Sequence, residues 1–410
     1  MTDVDLFRDK LHLLLSFLHQ YKDLPKQGTD EWLKFRGHSI GGSEIAQLIG
    51  NGYDKSPRSL IMAKVDPSTN KFRGNAATQW GSMFEEVTVQ YINYKWKITI
   101  VGDSSSIRNI GSRYSYSPDG LAVVVMPDAD DPTPKIVLFE IKSPYTRYPD
   151  GIVPSTYLPQ PKYGLMQIAI ADFAYFVDVC YRKCSYSVLN TDRDMEYDTV
   201  YHYKDLTKQA HTKLFEKGII GIYYDSSEDE NEFDDVALNA EVRWGFNPFS
   251  LRKGIPYYEV KDFGESDRTE FDELLYRVKQ HIYGDADGRP FIPSFDDAPD
   301  VQLFDFLEFC SADEHLHPIG IIPWKMFKYC EIRVDRDPAF NAQVERAVNN
   351  VFTKIQLCWD ATNPMEEFNK HYPASARVRE PGSGSPVDTG STMTKTELDD
   401  ALAFLTEGQS

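Results

Sequence analysis

Two short runs place carboxylates and a lysine at a spacing that can perform metal-assisted chemistry. Ser117-Pro118-Asp119-Gly120 reads as a turn bearing one carboxylate, and Leu138-Phe139-Glu140-Ile141-Lys142-Ser143-Pro144 reads as a strand bearing another. Side chains alternate faces along a strand, so Glu140 and Lys142 share one side while Phe139 and Ile141 turn into a core. Asp119, Glu140 and the Ile141 carbonyl then make a hard, oxygen-only half-shell. That donor set suits Mg²⁺, which keeps its other positions for water and a substrate phosphate, with Mn²⁺ as the expected substitute. The Lys142 ammonium can hold an attacking water or stabilise charge developing on a phosphate. Phosphodiester hydrolysis is the chemistry this pattern serves. A D…ExK match also arises where Glu and Lys merely solvate one face of a strand, so its weight depends on what accompanies it.

Three features accompany it. Arg36 precedes Ser43 by seven residues, and Ser43 lies where a helix should begin after Gly41-Gly42, so N–H groups, a hydroxyl and a guanidinium can converge on one phosphate. Ordinary helix capping by Ser43 is the plainer alternative. Trp80-Gly81-x-x-x-Glu85 puts a carboxylate on a helix just upstream of the strands, where it can join the metal shell through water; a surface Glu beside Glu86 is its alternative. Gln167 lies in a helical stretch after the Glu140 strand, amid Leu165, Met166 and Ile168, and its amide can reach a phosphate or the nucleophilic water. A half-buried Gln bonded to backbone explains it equally.

Together these pieces resemble the lambda-type exonuclease or YqaJ viral recombinase family, a branch of the PD-(D/E)xK nucleases that includes alkaline nucleases of large DNA viruses. The family order is an Arg and a Ser seven apart, a W-G-x-x-x-E helix, S-P-D-G, an E-x-K strand and a helix bearing Y-x-x-Q; the first four occur here in that order, between Trp32 and about Tyr181. The resemblance implies that Asp119 and Glu140 bind metal, Lys142 assists the water, Glu85 supports a second metal or the water, and Arg36, Ser43 and Ser117 receive DNA phosphates. The fifth piece departs from the pattern. Tyr157-x-x-Gln160 has the right spacing, but Pro159 and Pro161 flank that Gln, which argues against a helix interior. Tyr163-x-x-x-Gln167 has one residue too many, and Gln167 is preferred.

The elements that must position these residues follow from periodicity and turn signals. Helices are expected over Thr2–Tyr21, with Leu6, Leu13, Leu14 and Phe17 on its apolar stripe, from Thr29, from Gly41 through Leu48, and over Ala77–Tyr94. Strands are expected at Ile98–Val101, Leu121–Met126, Ile136–Ile141 and Tyr175–Tyr181, with a helix over Pro161–Ala171 before the last. The order of these elements indicates an α/β core with a central mixed sheet flanked by helices, and the resemblance implies that this core is of the PD-(D/E)xK, restriction-endonuclease-like type, with a helical C-terminal extension. The expected organisation is a nuclease core over residues 1–220, an acidic, mostly helical extension over 221–372, and a linker with a short amphipathic helix over 373–410. Within the extension, Phe263–Tyr283 and Ala339–Trp359 read as helices.

Charge does not advertise a nucleic-acid protein. Residues 1–220 carry 26 Lys+Arg and 26 Asp+Glu, whereas residues 221–410 carry 18 and 37, so the whole net charge of −19 is C-terminal. Contact with nucleic acid must come from local clusters such as Lys55, Arg58, Lys64, Lys71 and Arg73. Five cysteines without CxxC spacing point to reduced thiols and an intracellular setting, and no membrane span is expected. The resemblance implies a 5′-to-3′ exonuclease on double-stranded DNA ends that leaves 3′ single strands for viral recombination, replication or repair. It also implies a single-strand-binding or annealing protein as partner, and the host nucleus or a cytoplasmic replication site as the compartment. A structure-selective DNA endonuclease or an RNA-degrading nuclease can use the same metal site. A non-catalytic interaction protein is the remaining alternative, against which the complete Asp119, Glu140 and Lys142 set speaks.

Overall fold

In the structure, a computed structural model, the described residues run from Asp3 to Pro373. They leave out 226–290 and the short stretches 26–29, 53–55, 70–75, 103–104, 109–111, 126–132, 146, 184–185, 187–188, 190–196, 203–204 and 214–215. The helix expected at Phe263–Tyr283 and all of 374–410 lie outside the described residues, as does the acidic stretch Asp225–Asp235 apart from Asp225.

The centre is a five-stranded mixed sheet in the order β1-β2-β3-β7-β6. Its strands are β1 (Gly120–Val124), β2 (Lys135–Lys142), β3 (Phe173–Lys183), β6 (Glu216–Asp225) and β7 (Leu316–Val334). A separate hairpin pairs β4 (Tyr197–His202) with β5 (Asp205–Lys213). Only β2 and β3 of the main sheet run parallel. Parallel neighbours need a crossover, and α6 (Pro159–Gln167) lies within it.

Helices cover both faces. The described helices preceding the sheet are α1 (Asp3–His19), α2 (Asp30–Gly37), α3 (Gly42–Leu48), α4 (Arg58–Val65) and α5 (Ala76–Trp96). Those after β6 are α7 (Pro299–Ser311), α8 (Pro338–Asp360) and α9 (Pro364–His371). On one face of β2, Val137, Phe139 and Ile141 pack with Phe84 and Ile92 of α5 and with Trp324 of β7. On the other, Ile136 and Leu138 pack with Ile45 of α3, Tyr163 and Leu165 of α6, and Val344 and Val348 of α8. Burial on both faces explains why β2 reads as a nearly unbroken apolar run, each large side chain contributing about 1.5–3 kcal/mol. The run is broken at one point, where Glu140 continues the Ile136–Leu138 face with no exposure at all.

Three expectations need correction. The described part of 221–372 is not simply laid on a finished core: the boundary at 220/221 falls inside β6, and β7 lies between β3 and β6 in the one sheet. Prolines 318 and 323 disguise β7 in the sequence. They are accommodated because that half of the strand pairs with β6 alone, leaving one side without a demand for N–H donors. Ile98–Val101 makes an isolated bridge between Val101 and Leu121 rather than a strand. Leu13 is exposed on the outer side of α1, together with Leu15, while Leu14 carries the burial.

Candidate active site

Antiparallel pairing of β1 with β2 sets Gly120 opposite Phe139, which brings Asp119, just before β1, beside the end of β2. There Asp119 Oδ2 accepts a hydrogen bond from the Ile141 N–H at 2.7 Å. Gly120 is required by close packing: a Cβ on it would lie 2.4 Å from Ile100 Cγ2. Alternation along β2 then puts Glu140 and Lys142 on one side, as expected. Lys142 Nζ donates to Glu140 Oε1 at 2.5 Å and to the Ile141 carbonyl at 2.9 Å, and it lies 3.6 Å from Asp119 Oδ2.

Three oxygens from Asp119, Glu140 and Ile141 thus converge on one cationic nitrogen. The oxygen-only donor set of Asp119, Glu140 and the Ile141 carbonyl fits Mg²⁺ or Mn²⁺. Among the described residues no group of three or more His, Cys, Asp or Glu side chains is arranged to hold a metal, so the candidate shell is two carboxylates and a carbonyl.

Electrostatics bind a third carboxylate to this group. Burial, and then the Asp119 charge, push Glu140 up from 4.5 to about 7, against the opposing influence of Lys142. Half-buried Glu85 on α5 is pushed up to about 8, first by desolvation and then by Asp119, with Lys142 opposing and Glu140 adding. Glu85 is therefore within electrostatic reach of all three motif residues. On the same helix Trp80 and Phe84 are buried in the core, and Trp80 meets Tyr145 edge-on at 5.3 Å. For Lys142, burial lowers the pKa, but Glu140 and Asp119 more than reverse this and hold the ammonium charged.

Beside the carboxylates lies a cleft lined by Arg36, the α3 start Gly41-Gly42-Ser43, Ser106, Ser115, Tyr116, Ser117, Asp119 and Gln160. Arg36, Ser43 and Ser117 therefore do come together, next to Asp119. Arg36 donates to Ser43 Oγ at 2.6 Å. Buried Ser106 Oγ has no hydrogen-bond partner among the described residues. Ser43 sits inside the first turn of α3; the cap is at Gly41, whose N–H donates to Glu44 Oε2 at 2.8 Å. Glu44 in turn accepts from Lys64 on both oxygens, at 2.9 and 3.0 Å.

The glutamine needs revision. Gln160, not Gln167, lines the cleft; Gln167 is the last residue of α6, about two turns further along. Pro159 and Pro161 do keep Gln160 out of the helix interior, as expected, since it is the second residue of α6, but that position still faces the cleft. The two prolines occupy the first turn of α6, where a missing N–H costs nothing. Two members of the expected basic cluster are also committed elsewhere: Lys64 is buried against Glu44, and Arg58 donates to the Tyr372 carbonyl and Asn369. Lys55, Lys71 and Arg73 lie outside the described residues.

Other residues of the site escape the sequence reading. Tyr116 donates to Glu140 Oε2 at 2.7 Å; its place directly before Ser117-Pro118-Asp119 was the available signal. Asp178, opposite Lys142 on β3, is fully buried and paired in two hydrogen bonds of 2.6 and 2.8 Å with Arg147, which holds the segment between β2 and α6. The described cysteines Cys180, Cys310, Cys330 and Cys358 form no disulfide, and no described helix is long and apolar enough to cross a membrane.

Comparison with known proteins places this site within a recognised segment. Residues 31–172 match the YqaJ-like viral recombinase domain, the family that the motif order resembles. A protein of African swine fever virus, strain Badajoz, is 29% identical over 377 residues, covering 87% of this chain and 93% of the viral protein. The corresponding protein of a South African tick isolate of that virus gives the same identity and coverage. Among solved structures, the alkaline exonuclease LHK-Exo from Laribacter hongkongensis is similar at 20% identity and a TM-score of 0.28, covering 37% of this chain and 74% of that one. LHK-Exo in complex with dAMP is similar at 12% identity and a TM-score of 0.35, covering 84% and 97%.

Proposed function

We propose that this YqaJ-like chain is a divalent-metal-dependent deoxyribonuclease that degrades double-stranded DNA from its ends, 5′ to 3′, leaving 3′ single strands for viral DNA recombination, replication or repair. The observation that carries the reading is the convergence of Asp119, Glu140 and the Ile141 carbonyl on the Lys142 ammonium, beside the Arg36–Ser43 cleft.

Asp119, Glu140 and Ile141 would hold Mg²⁺ or Mn²⁺. A bound ion of this kind supplies Lewis acidity and lowers the pKa of water at its surface. Ile141 N–H fixes the Asp119 carboxylate, and Tyr116 fixes one oxygen of Glu140, so neither ligand depends on solvent for its orientation. Lys142 keeps its proton and presents a positive charge beside the carboxylates, where it can orient the attacking water or offset charge on the phosphate. Glu85, held protonated up to about 8 in the metal-free protein, is suited to accept a proton under alkaline conditions. Gln160, which lines the cleft, takes the role expected of Gln167, an amide that can reach the phosphate or the water.

End preference belongs to the neighbouring cleft. Arg36, Ser43 and Ser117 offer a guanidinium and two hydroxyls at the start of α3, a donor set matched to a terminal phosphate. The test is digestion of linear duplex DNA, with and without a 5′ phosphate, beside a covalently closed circle, with Mg²⁺ or Mn²⁺, for wild type and Lys142→Ala. Loss of linear DNA alone, faster with the phosphate and absent in the variant, is the expected result. Cleaved circles would move the reading to an endonuclease, and an active Lys142→Ala would remove the assigned chemistry.

A further inference from the structure

Glu140 is fully buried, so water cannot set the rotation of its carboxylate. Its hydrogen-bond donors are Lys142 on Oε1 and Tyr116 on Oε2. Lys142 is partly exposed and is assigned to the water or the phosphate, whereas the buried tyrosine hydroxyl is free to hold the Glu140 carboxylate if that group binds a cation. Tyr116 is itself 1% exposed, and its backbone is pinned by reciprocal bonds with Ile107, Ile107 N–H to the Tyr116 carbonyl at 2.7 Å and Tyr116 N–H to the Ile107 carbonyl at 3.0 Å.

To reach Glu140 the ring passes between two helices. A Cβ on Gly42, at the start of α3, would lie 2.7 Å from Tyr116 Cδ2. A Cβ on Gly164, in α6, would lie 2.5 Å from Tyr116 Cζ and 2.7 Å from its hydroxyl oxygen. Neither glycine is among those with positive φ, so backbone conformation does not require them. The space taken by the tyrosine ring does at Gly42, and at Gly164 the ring does so together with Leu138 Cδ2, 2.6 Å from the same Cβ.

We propose that Tyr116 is a positioning residue that sets the Glu140 carboxylate for the metal, and that Gly42 and Gly164 are glycines in order to admit its ring. The proposal rests on the reading of Asp119 and Glu140 as metal ligands. It links the cleft to the carboxylates mechanically, because one ring touches α3, α6 and Glu140 together.

The experiment is a titration of the full-length, metal-free protein with Mn²⁺ in the absence of DNA, followed by electron paramagnetic resonance. It compares wild type with Tyr116→Phe, Gly42→Ala and Asp119→Ala. Losing an outer hydrogen bond to a metal ligand typically weakens metal affinity by about 10–100-fold, and Tyr116→Phe is expected in that range. Its cleavage rate should recover at high Mn²⁺, with the KM for DNA unchanged and with unfolding in chelator still a single cooperative transition, though at lower urea because the buried Glu140 oxygen loses its donor. Gly42→Ala keeps the hydroxyl but displaces the ring, and should weaken Mn²⁺ in the same direction; if Tyr116→Phe fails to fold, this variant decides. Wild-type affinity in the variant that decides, with binding lost in Asp119→Ala, overturns the role of Tyr116 and leaves the metal site standing. Equal Mn²⁺ binding by wild type and Asp119→Ala overturns the ligand assignment and the proposal with it.

Discussion

Replacing Glu140 with Gln should abolish cleavage while making the metal-free protein more stable at alkaline pH. In the folded chain Glu140 keeps its proton up to about 7, because burial and the neighbouring Asp119 charge oppose ionisation, whereas its ordinary value is 4.5. Between those values the unfolded chain loses a proton that the folded chain retains. Stability from this group is therefore fully present below 4.5 and is lost as pH rises through about 7. The gap between 4.5 and 7 corresponds to about 3 kcal/mol at this fully buried position. Gln has nearly the same volume, can accept from Lys142 and donate toward Tyr116, and has no proton to lose. Urea unfolding in chelator at pH 5, 6, 7 and 8 should show the variant gaining on wild type by up to about 3 kcal/mol across the series. Adding Mg²⁺ should then stabilise wild type and leave Glu140→Gln unchanged, since binding to the folded state alone raises stability. A stability difference that stays constant from pH 5 to 8, or cleavage by the variant, would refute the reasoning.

Lys64→Met should strip the phosphate preference from the cleft, since Glu44 would then be left to pair with Arg36, 3.5 Å away. Adding Glu44→Gln should restore the preference, and a double variant as indifferent to end phosphates as the single one would dismiss the role of Lys64. Gln160→Ala should slow cleavage about 10-fold or more, on the scale of losing one polar contact to a transition state, while Gln167→Ala stays near wild type; the reverse ranking in single-turnover rates would return the assignment to Gln167. Arg147→Ala leaves buried Asp178 without its partner and should cost on the order of 3 kcal/mol in urea unfolding at pH 8. Asp178→Asn in the same chain should recover most of that loss, and no recovery would mean that Arg147 acts through some other contact.

The local pieces of this site were legible in the residue string because each depends on near neighbours. Strand alternation alone aligns Glu140 with Lys142 and turns Phe139 and Ile141 inward. Gly41-Gly42 announces the start of α3, and the spacing of Trp80 and Glu85 places both on α5. The Y-x-x-Q spacing at Tyr157 and Gln160 is also visible, and the prolines do place Gln160 in a first turn rather than an interior, but that the start of α6 borders the cleft depends on packing against α3. What could not be read is what depends on distant pairing. Nothing local tells that β7, more than 130 residues beyond β3, inserts beside it and turns a supposed extension into part of the central sheet. Nor does spacing reveal that Tyr116 reaches Glu140 between two glycines, that Lys64 belongs to Glu44, or that Asp178 belongs to Arg147. The reason is physical. A side chain's face follows from the backbone period of its own element, whereas its partner, and with it the state of its proton, follows from which elements the packed core brings together.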